Sequence, residues 1–171
     1  FLHDYQKQRI LNFISPANDP QGAGYNAIQA MIAVGSGKLF GQGLGRGPQS
    51  HLRFLPENHT DFIFASLVEE FGFIGALLLL LFYGYLFFRI LRLISTTTDK
   101  FAYLVIIGIF MQIFSQFFIN IAMNVGLVPI TGVTLPLISA GGSSILATMI
   151  SLGIIFSVVK NNKQTPLVIG S

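Results

Sequence analysis

The sequence predicts an all-α integral membrane protein, a polytopic helical bundle in which a large extracellular loop is followed by three transmembrane helices. Hydrophobic residues make up 52% of the chain and charged residues only 10%, and the mean hydropathy is +0.67. These values lie well outside the usual range of soluble domains. Three apolar runs are each long enough to cross a hydrocarbon core of about 30 Å. They cover residues 62–88, 101–125 and 133–159.

The chain divides into three parts around these spans. They are the mostly polar loop at residues 1–60, the membrane part at 61–160, and a predicted cytoplasmic tail at 161–171. Because the chain opens on Phe1 without the features of a signal peptide, we expect it to be part of a longer protein. Gly170 and Ser171 are set aside as residues that cloning can add. The sequence has no cysteine, which excludes disulfides and thiolate metal sites.

Two short helices are predicted inside the loop. The stretch YQKQRILNFI, residues 5–14, gives a helix whose apolar side consists of Ile10, Leu11, Phe13 and Ile14. The turn-rich stretch SPANDPQGAG ends this helix. The stretch YNAIQAMIAVGSGK, residues 25–38, predicts a second short helix that lies against the membrane.

A glycine-rich stretch follows, with glycines at positions 35, 37, 41, 43, 45 and 47. Such spacing indicates that the backbone lies close to another part of the structure. The stretch contains no G-x-G-x-x-G fingerprint, and Lys38 is followed by Leu39 rather than by Ser or Thr, so the P-loop pattern fails as well. Two interpretations stay open: a loop packed on the outer face of the membrane, or a loop whose amides cradle a phosphate.

The basic residues near the ends of the spans predict the orientation. Arg89, Arg92 and Lys100 flank the first connection, and Lys160 and Lys163 follow the last span. The second connection, GLVPITG, carries no charge. The positive-inside rule therefore places the basic ends in the cytoplasm and the long loop outside. The loop itself is basic, but long translocated segments largely escape the rule.

Two polar stripes run along the second and third spans. One consists of Gln112, Gln116, Asn120 and Asn124, spaced four residues apart and therefore on one face of a helix. We expect that lipid does not contact it. The other consists of Ser139, Ser143, Ala147 and Ser151, next to Gly141 and Gly142. Close helix packing explains both stripes, and a hydrated cavity that holds a polar substrate explains them too.

Acidic residues at the start of the first span are the sharpest functional signal, because a carboxylate near a bilayer is costly. Asp61 is the candidate for a functional carboxylate. Spacing alone slightly favours the other interpretation, that Asn58 and Asp61 form a capping pair at the beginning of a helix. Glu69 and Glu70 lie two turns deeper, and since they are adjacent, at most one of them points where Asp61 points. The other needs a basic or hydrated partner.

Several motifs together resemble one family. They are YQKQRI, DPQGAGYNAIQAMIAVGSGKLFGQGLG, LPENHTDFIFASLVEEFGFIG and LVPITGVTLPLISAGGSS. In this order they are similar to the SEDS family (shape, elongation, division and sporulation), more to its RodA branch than to FtsW, over residues 5–159. The resemblance implies a larger bundle, of which this chain is the large extracellular loop and the last three spans.

The resemblance implies a peptidoglycan glycosyltransferase that polymerises lipid II at the outer face of the bacterial cytoplasmic membrane. Its implied partner is a class B penicillin-binding protein that cross-links the strands; membrane lipids surround it, and no nucleic acid is involved. The Asp of the HTDFIFA motif, which the family uses for catalysis, corresponds to Asp61, and the LPE glutamate to Glu57. Many relatives carry an acidic residue two positions before LPE. This chain has Arg53 there, so no second carboxylate is expected at that position.

The chemistry implied by these roles needs a general base within about 3 Å of the attacking hydroxyl, and positive charge for the leaving diphosphate. Asp61 is the expected base. The substrate-binding candidates are Glu57, His59, Lys38, Arg46, Arg53, Gln112, Gln116, Asn120 and Ser143. No organic cofactor is expected, but a divalent cation, Mg²⁺ or Mn²⁺, held by Asp61 or Glu57 is an alternative to the basic residues. His59 is open to a structural or a direct role.

Two other functional classes stay open at this point. A flippase for lipid-linked precursors also uses a polar groove and outer acidic residues, and a non-catalytic scaffold for the penicillin-binding protein needs only the loop and packed helices. The product separates them, because only a transferase makes glycan polymer.

Overall fold

The computed structural model describes residues 13, 22–51 and 59–163. Apart from Phe13, the first predicted amphipathic helix lies outside these residues. The described part is all-α, with five helices in the order α1 (Ala23–Ser36), α2 (Pro48–His51), α3 (Ile63–Thr96), α4 (Lys100–Asn124) and α5 (Gly142–Lys163). The predicted fold class is confirmed. Helix α1 also confirms the second short helix of the loop.

Three of these helices are long and apolar enough to cross a membrane: α3, α4 and the Gly142–Lys160 part of α5, with mean hydropathies of 2.2, 2.0 and 2.0. Helices α3 and α4 are joined by a connection of three residues, so they run antiparallel. Asp99 ends this connection, and its carboxylate accepts a hydrogen bond of 2.8 Å from the amide of Ala102, which caps α4. Helix α5 packs against α4.

Two helices differ in extent from the predicted spans. Helix α3 ends at Thr96 rather than near 88, because Arg89 and Arg92 continue the helix, and arginine is a good helix former whose long side chain can carry its charge toward water. The third helix begins at Gly142 rather than at 133. Residues 125–141 form a non-helical segment instead, which contains Pro129 and Pro136 and left-handed backbone at Gly132 and Leu137.

The core of the bundle is centred on Tyr83 of α3. Its ring is fully buried and lies 4.4 Å, centroid to centroid, from the ring of Phe117 on α4. The Tyr83 hydroxyl donates to the carbonyl of Pro136, which ties the 125–141 segment to α3. Nearer the basic ends of the helices, Ile90, Ile106 and Ile155 join α3, α4 and α5 in a second apolar cluster.

Helix α3 is broken at Gly72, where φ is 71° and ψ is −162°. The break frees two carbonyls, of Glu69 and Glu70, and two amides, of Phe73 and Ile74, which a continuous helix would pair with each other. The loop after α1 binds all four. Its amides at Gln42 and Gly43 donate to the two carbonyls at 2.9 and 3.1 Å, and its carbonyls at Lys38 and Leu39 accept from the two amides at 2.8 and 3.2 Å.

The glycines of this loop allow the close approach. A Cβ atom on Gly37 would collide with the carbonyl of Val68, and one on Gly41 with the carbonyl of Glu70. The prediction that the glycine-rich stretch lies close to other backbone is therefore confirmed. The loop amides at Gly41, Gln42, Gly43, Gly45, Arg46 and Gln49 donate to acceptors within the chain. This arrangement favours the packed loop over the phosphate cradle.

The two glutamates before the break also bind the loop. Glu69 is fully buried, and its Oε1 accepts a hydrogen bond of 3.0 Å from the amide of Gln49. The Oε1 of Glu70 accepts from the amide of Gly45 at 3.3 Å. Backbone amides thus bind both carboxylates, which they stabilise by charge-assisted hydrogen bonds. The sequence also predicts a basic or hydrated partner for one of the two, and this stays a prediction.

Candidate functional site

The turn at residues 59–62, just before α3, is held by three consecutive carbonyl groups. The carbonyl of His59 accepts a hydrogen bond of 2.9 Å from the amide of Ala140. The carbonyl of Thr60 accepts one of 2.6 Å from Ser139 Oγ. The carbonyl of Asp61 accepts two, each of 3.0 Å, from the side-chain amides of Asn120 and Asn124. The donors come from the end of α4 and from the 125–141 segment. The backbone of Asp61 is thereby fixed from two sides.

Asn120 and Asn124 are both fully buried and lie one turn apart on α4, so they share a face. The Nδ2 of Asn120 also donates to the carbonyl of Val133 at 2.7 Å. The Oδ1 of Asn124 accepts a hydrogen bond of 3.2 Å from the amide of Ala65, in the first turn of α3. These two amides join the turn, the beginning of α3 and the 125–141 segment.

The predicted capping pair of Asn58 and Asp61 is wrong in its geometry. It requires Asp61 to be the third residue of the helix, but α3 begins at Ile63 with Phe62 as its N-cap residue. Asp61 therefore precedes the helix, where the positive end of the helix dipole still favours a carboxylate. The amide of Ala65, which a capping side chain within the same segment would normally bind, is instead bound by Asn124 of α4.

Asp61 is half-buried as a residue, and its carboxylate lies next to Gly132. A Cβ atom on Gly132 would lie 3.5 Å from Asp61 Oδ2, and the backbone there has a φ of 72°. Gly132 is exposed and has no side chain, so on this side the Asp61 carboxylate faces backbone. A carboxylate of a half-buried residue, on a backbone fixed by hydrogen bonds, is a suitable candidate for a general base.

Other predicted site residues lie in three separate places: the turn at 59–62, the loop that inserts at Gly72, and the first turn of α5. His59 is exposed and adjoins Asp61 through the turn. Lys38 and Arg46 are exposed on the loop that inserts at Gly72. Ser143 is exposed in the first turn of α5. Glu57 and Arg53 lie outside the described residues, as does Asn58.

The first polar stripe changes its environment along α4. Asn120 and Asn124 are buried, Gln116 is half-buried, and Gln112 is exposed in the described part of the chain. The second stripe is not continuous, because Ser139 lies before α5 and binds the turn carbonyl of Thr60 instead. Within α5, Ser151 donates to the carbonyl of Ala147. The stripes thus contribute to packing at the Asp61 end, where their buried members bind backbone.

Three residues of the site were not among the predicted site residues: Asn124, Ser139 and Gly132. Asn124 and Ser139 each belonged to a stripe, so their spacing was a signal for a buried polar role. The contact of Gly132 with Asp61 depends on a turn that the sequence does not reveal. Among residues 22–51 and 59–163, no group of three His, Cys, Asp or Glu side chains lies close enough to hold a metal ion.

The fold and this site define a class: a polytopic α-helical membrane protein with a candidate acid–base carboxylate at one end of its helical bundle. Residues 1–164 match the family model FtsW/RodA/SpoVE, which is described as "Cell cycle protein". The chain belongs to this family, the SEDS family.

Curated relatives agree with this assignment. The chain is 45% identical to "Peptidoglycan glycosyltransferase MrdB" of Escherichia coli (strain K12) over 163 residues, which cover 95% of this chain and 44% of that protein. It is 43% identical to "Peptidoglycan glycosyltransferase RodA" of Treponema pallidum (strain Nichols), over 92% of this chain and 36% of that protein. It is 42% identical to "Stage V sporulation protein E" of Bacillus subtilis (strain 168), over 93% and 43%. The chain spans less than half the length of these relatives.

One chain of a solved structure is similar as well. That structure is described as "Structural coordination of polymerization and crosslinking by a peptidoglycan synthase complex". The TM-score is 0.74 at 31% sequence identity, with 96% of this chain and 44% of the other chain covered. The fold of the described residues is therefore that of a chain in such a complex.

Proposed function

We propose that the protein carrying this chain is a peptidoglycan glycosyltransferase that polymerises lipid II into glycan strands, with Asp61 as its general base. The observation that carries the proposal is the turn at residues 59–62. Three consecutive carbonyls are anchored there, while Asp61 is half-buried and its carboxylate lies beside Gly132. The names of the family members at 45% and 43% identity support the same activity.

In the proposed reaction a sugar hydroxyl of one substrate attacks the anomeric carbon of the other. Asp61 takes the proton of this hydroxyl as the new glycosidic bond forms and the bond to the polyprenyl diphosphate breaks. A diphosphate leaves well without an acid, so one carboxylate suffices, unlike the paired acids of glycosidases. Direct attack inverts the configuration of the anomeric carbon.

The departing diphosphate requires positive charge. Lys38 and Arg46 are candidates because both are exposed on the loop that packs against the first half of α3. Arg53, or a divalent cation held by Asp61 or Glu57, is the alternative source of charge. The remaining polar candidates, Gln112, Gln116 and Ser143, would line a substrate groove in the assembled protein.

We further propose that the site faces outward from the bacterial cytoplasmic membrane. Arg89 and Arg92 near the end of α3, Lys100 at the start of α4 and Lys160 near the end of α5 lie at the end of the bundle opposite to Asp61. The positive-inside rule supports a cytoplasmic location for that end. The proposed partner is a class B penicillin-binding protein. The similar solved structure supports it, because that synthase complex coordinates polymerization with crosslinking.

The test is polymer synthesis from purified lipid II by the full-length polypeptide that carries this chain, in detergent, with and without the penicillin-binding protein. We expect glycan strands that separate by length on a gel. Transport of lipid II across a sealed bilayer without any polymer would indicate a flippase and contradict the proposal. Failure to form polymer together with unchanged binding of the partner would indicate a scaffold, and would contradict it as well.

A further inference from the structure

We infer that Asn124 is a positioning residue for Asp61, which holds the catalytic turn against the first turn of α3. The inference rests on the proposed function, because it assigns how the proposed base is kept in place. Asn124 does not reach the substrate: it is fully buried, and both ends of its side-chain amide bind protein groups.

The side-chain amide of Asn124 binds the backbone on both sides of the beginning of α3. Its Nδ2 donates to the Asp61 carbonyl at 3.0 Å, just before α3. Its Oδ1 accepts from the Ala65 amide at 3.2 Å, inside α3. The side-chain amide of Asn124, on α4, thus links residue 61 to residue 65, and we call this pair of hydrogen bonds the clip. The same Nδ2 donates to the carbonyl of Asn120 at 2.8 Å, one turn earlier on α4, which fixes the orientation of the clip.

An amide side chain of this length meets both requirements. The site needs a donor toward the Asp61 carbonyl and an acceptor toward the Ala65 amide, on one planar group. A leucine of similar size provides neither, and an ionised aspartate provides two acceptors and no donor. Removing the clip would also leave the Ala65 amide without this partner in a buried environment, which destabilises the first turn of α3.

Asn120 holds the same carbonyl from a second direction. Its Nδ2 bridges the Asp61 carbonyl at 3.0 Å and the Val133 carbonyl at 2.7 Å. Residue 133 follows Gly132, whose backbone lies next to the Asp61 carboxylate. Asn120 therefore ties the turn to the segment beside the carboxylate, whereas Asn124 ties the turn to α3. Loss of Asn124 leaves the first tie in place and removes the second.

The expected consequence is a loss of catalytic rate rather than of substrate binding. Displacing a reacting group by about 1 Å can cost roughly 100-fold in rate. Since Asn124 touches no part of the surface on which a substrate binds, its loss should lower kcat and leave KM for lipid II near its original value.

The experiment compares Asn124→Leu with Thr148→Val in the full-length polypeptide that carries this chain, with lipid II as substrate. Thr148→Val is the control, because it also removes a buried side-chain donor to a backbone carbonyl, that of Ser144, but within α5 and away from the 59–62 turn. For Asn124→Leu we expect kcat to fall at least 10-fold while KM changes less than twofold. For Thr148→Val we expect a kcat within twofold of that of the unmodified protein.

A second variant covers the case in which Asn124→Leu fails to fold. Asn124→Asp keeps the shape and the acceptor for the Ala65 amide but loses the donor to Asp61 when ionised. It should again lower kcat at least 10-fold above neutral pH. A third measurement adds Asn124→Leu to an Asp61→Asn background, where we expect less than a further twofold loss, since a positioning residue acts only through the group it positions.

Normal kcat in both folded Asn124 variants would overturn the inference, and so would a raised KM with unchanged kcat. A further 10-fold loss in the Asp61→Asn background would also overturn it, because Asn124 would then act independently of Asp61. These results are distinct from a failure of the proposed function. That failure would appear in the unmodified protein, as an absence of polymer from lipid II.

Discussion

Gly72 of α3 and Gly41 of the preceding loop meet backbone to backbone, so that a Cβ atom on Gly72 would collide with the amide nitrogen of Gly41. The contact exists because α3 is broken at Gly72 and the loop binds the carbonyls and amides that the break frees. The loop therefore binds both sides of the break, through two backbone hydrogen bonds to the part of α3 that begins next to Asp61 and two to the part that follows Gly72.

Substituting Gly72 by alanine should destabilise the protein strongly. The backbone there has a φ of 71° and a ψ of −162°, a region adopted essentially by glycine alone that costs a residue with a Cβ atom about 1–3 kcal/mol, and the collision with Gly41 adds to this cost. We expect a clear fall in the thermal unfolding temperature in detergent. The control is Gly84→Ala in the same helix, where no atom lies within 4 Å of the added Cβ and the stability should stay equal or rise. Equal effects of the two substitutions would contradict the inserted loop.

The orientation of the bundle can be measured by cysteine labelling, since the chain has no native cysteine. Leu44 is 72% exposed on the loop at the Asp61 end, and Thr98 is exposed in the connection between α3 and α4. In intact cells a membrane-impermeant thiol reagent should label Leu44→Cys and leave Thr98→Cys unlabelled until the membrane is permeabilised. The reverse pattern would place the Asp61 end in the cytoplasm and contradict the proposed site.

The sequence predicted the three membrane-spanning helices and their order, because a run of apolar residues can adopt few stable structures in a bilayer. It missed the start of α5 because residues 133–141 are mostly apolar or small, like a span. The structure bends there at Gly132 and Leu137, and the Tyr83 hydroxyl binds the carbonyl of Pro136. Hydropathy records the polarity of each residue but not the tertiary hydrogen bonds that stabilise a non-helical segment between helices.

The same distinction applies to the site. The sequence singles out Asp61 as a candidate because a carboxylate at the edge of a span is costly and has few explanations. The break at Gly72 was not, since a single glycine inside an apolar run also occurs in regular helices, as Gly84 does in α3. The glycines of the loop indicated a close backbone approach without naming its partner. Only the fold brings the loop to Glu69 and Glu70.

The isolated 171-residue chain should be unable to polymerise lipid II. Gln112 is exposed on α4 among apolar residues, and only 11% of the most apolar stretch of α5 is buried, so both helices present faces that further helices would cover. A groove for a lipid-linked sugar needs two walls. The measurement is polymer formation by the purified chain in detergent, with the full-length polypeptide as the positive control. Polymer made by the isolated chain would show that these helices suffice.

Adding a side chain at Gly132 should block the carboxylate. Gly132→Val places a branched side chain beside Asp61 Oδ2, which a Cβ alone approaches to 3.5 Å. We expect at least a 10-fold fall in polymerisation. The control is Gly43→Ala, which shares the left-handed backbone, with a φ of 94°, but meets only Arg46 Cδ at 3.6 Å. This control should lower stability by about 1–2 kcal/mol and retain activity below its unfolding temperature. Equal activity of the two variants would mean that the face beside Gly132 is not used.

Replacing Asp61 by asparagine separates the chemistry of the carboxylate from its structural contacts. The hydrogen bonds from Asn120 and Asn124 go to the backbone carbonyl of Asp61, which the substitution leaves unchanged. Asp61 precedes the N-cap residue Phe62, so the substitution loses the interaction of its charge with the helix dipole, and the free energy of unfolding should change by about 1 kcal/mol or less. The proton acceptor is lost. Polymerisation should fall by about 10²-fold to 10⁴-fold, the usual effect of losing a general base.

Two further carboxylates provide the comparison for Asp61→Asn. Glu69→Gln should mainly lower stability, because Glu69 is fully buried and its charge strengthens the hydrogen bond from the Gln49 amide. Glu57→Gln should reduce polymerisation less than Asp61→Asn does, as expected for a residue that helps to bind substrate or cation. Activity is measured as polymer formed per minute and stability as the unfolding temperature, with binding of the penicillin-binding protein as a check of folding. If a well-folded Asp61→Asn variant made glycan at a near-normal rate, the carboxylate would have a structural role only, because a reaction that needs this base cannot proceed at that rate without it.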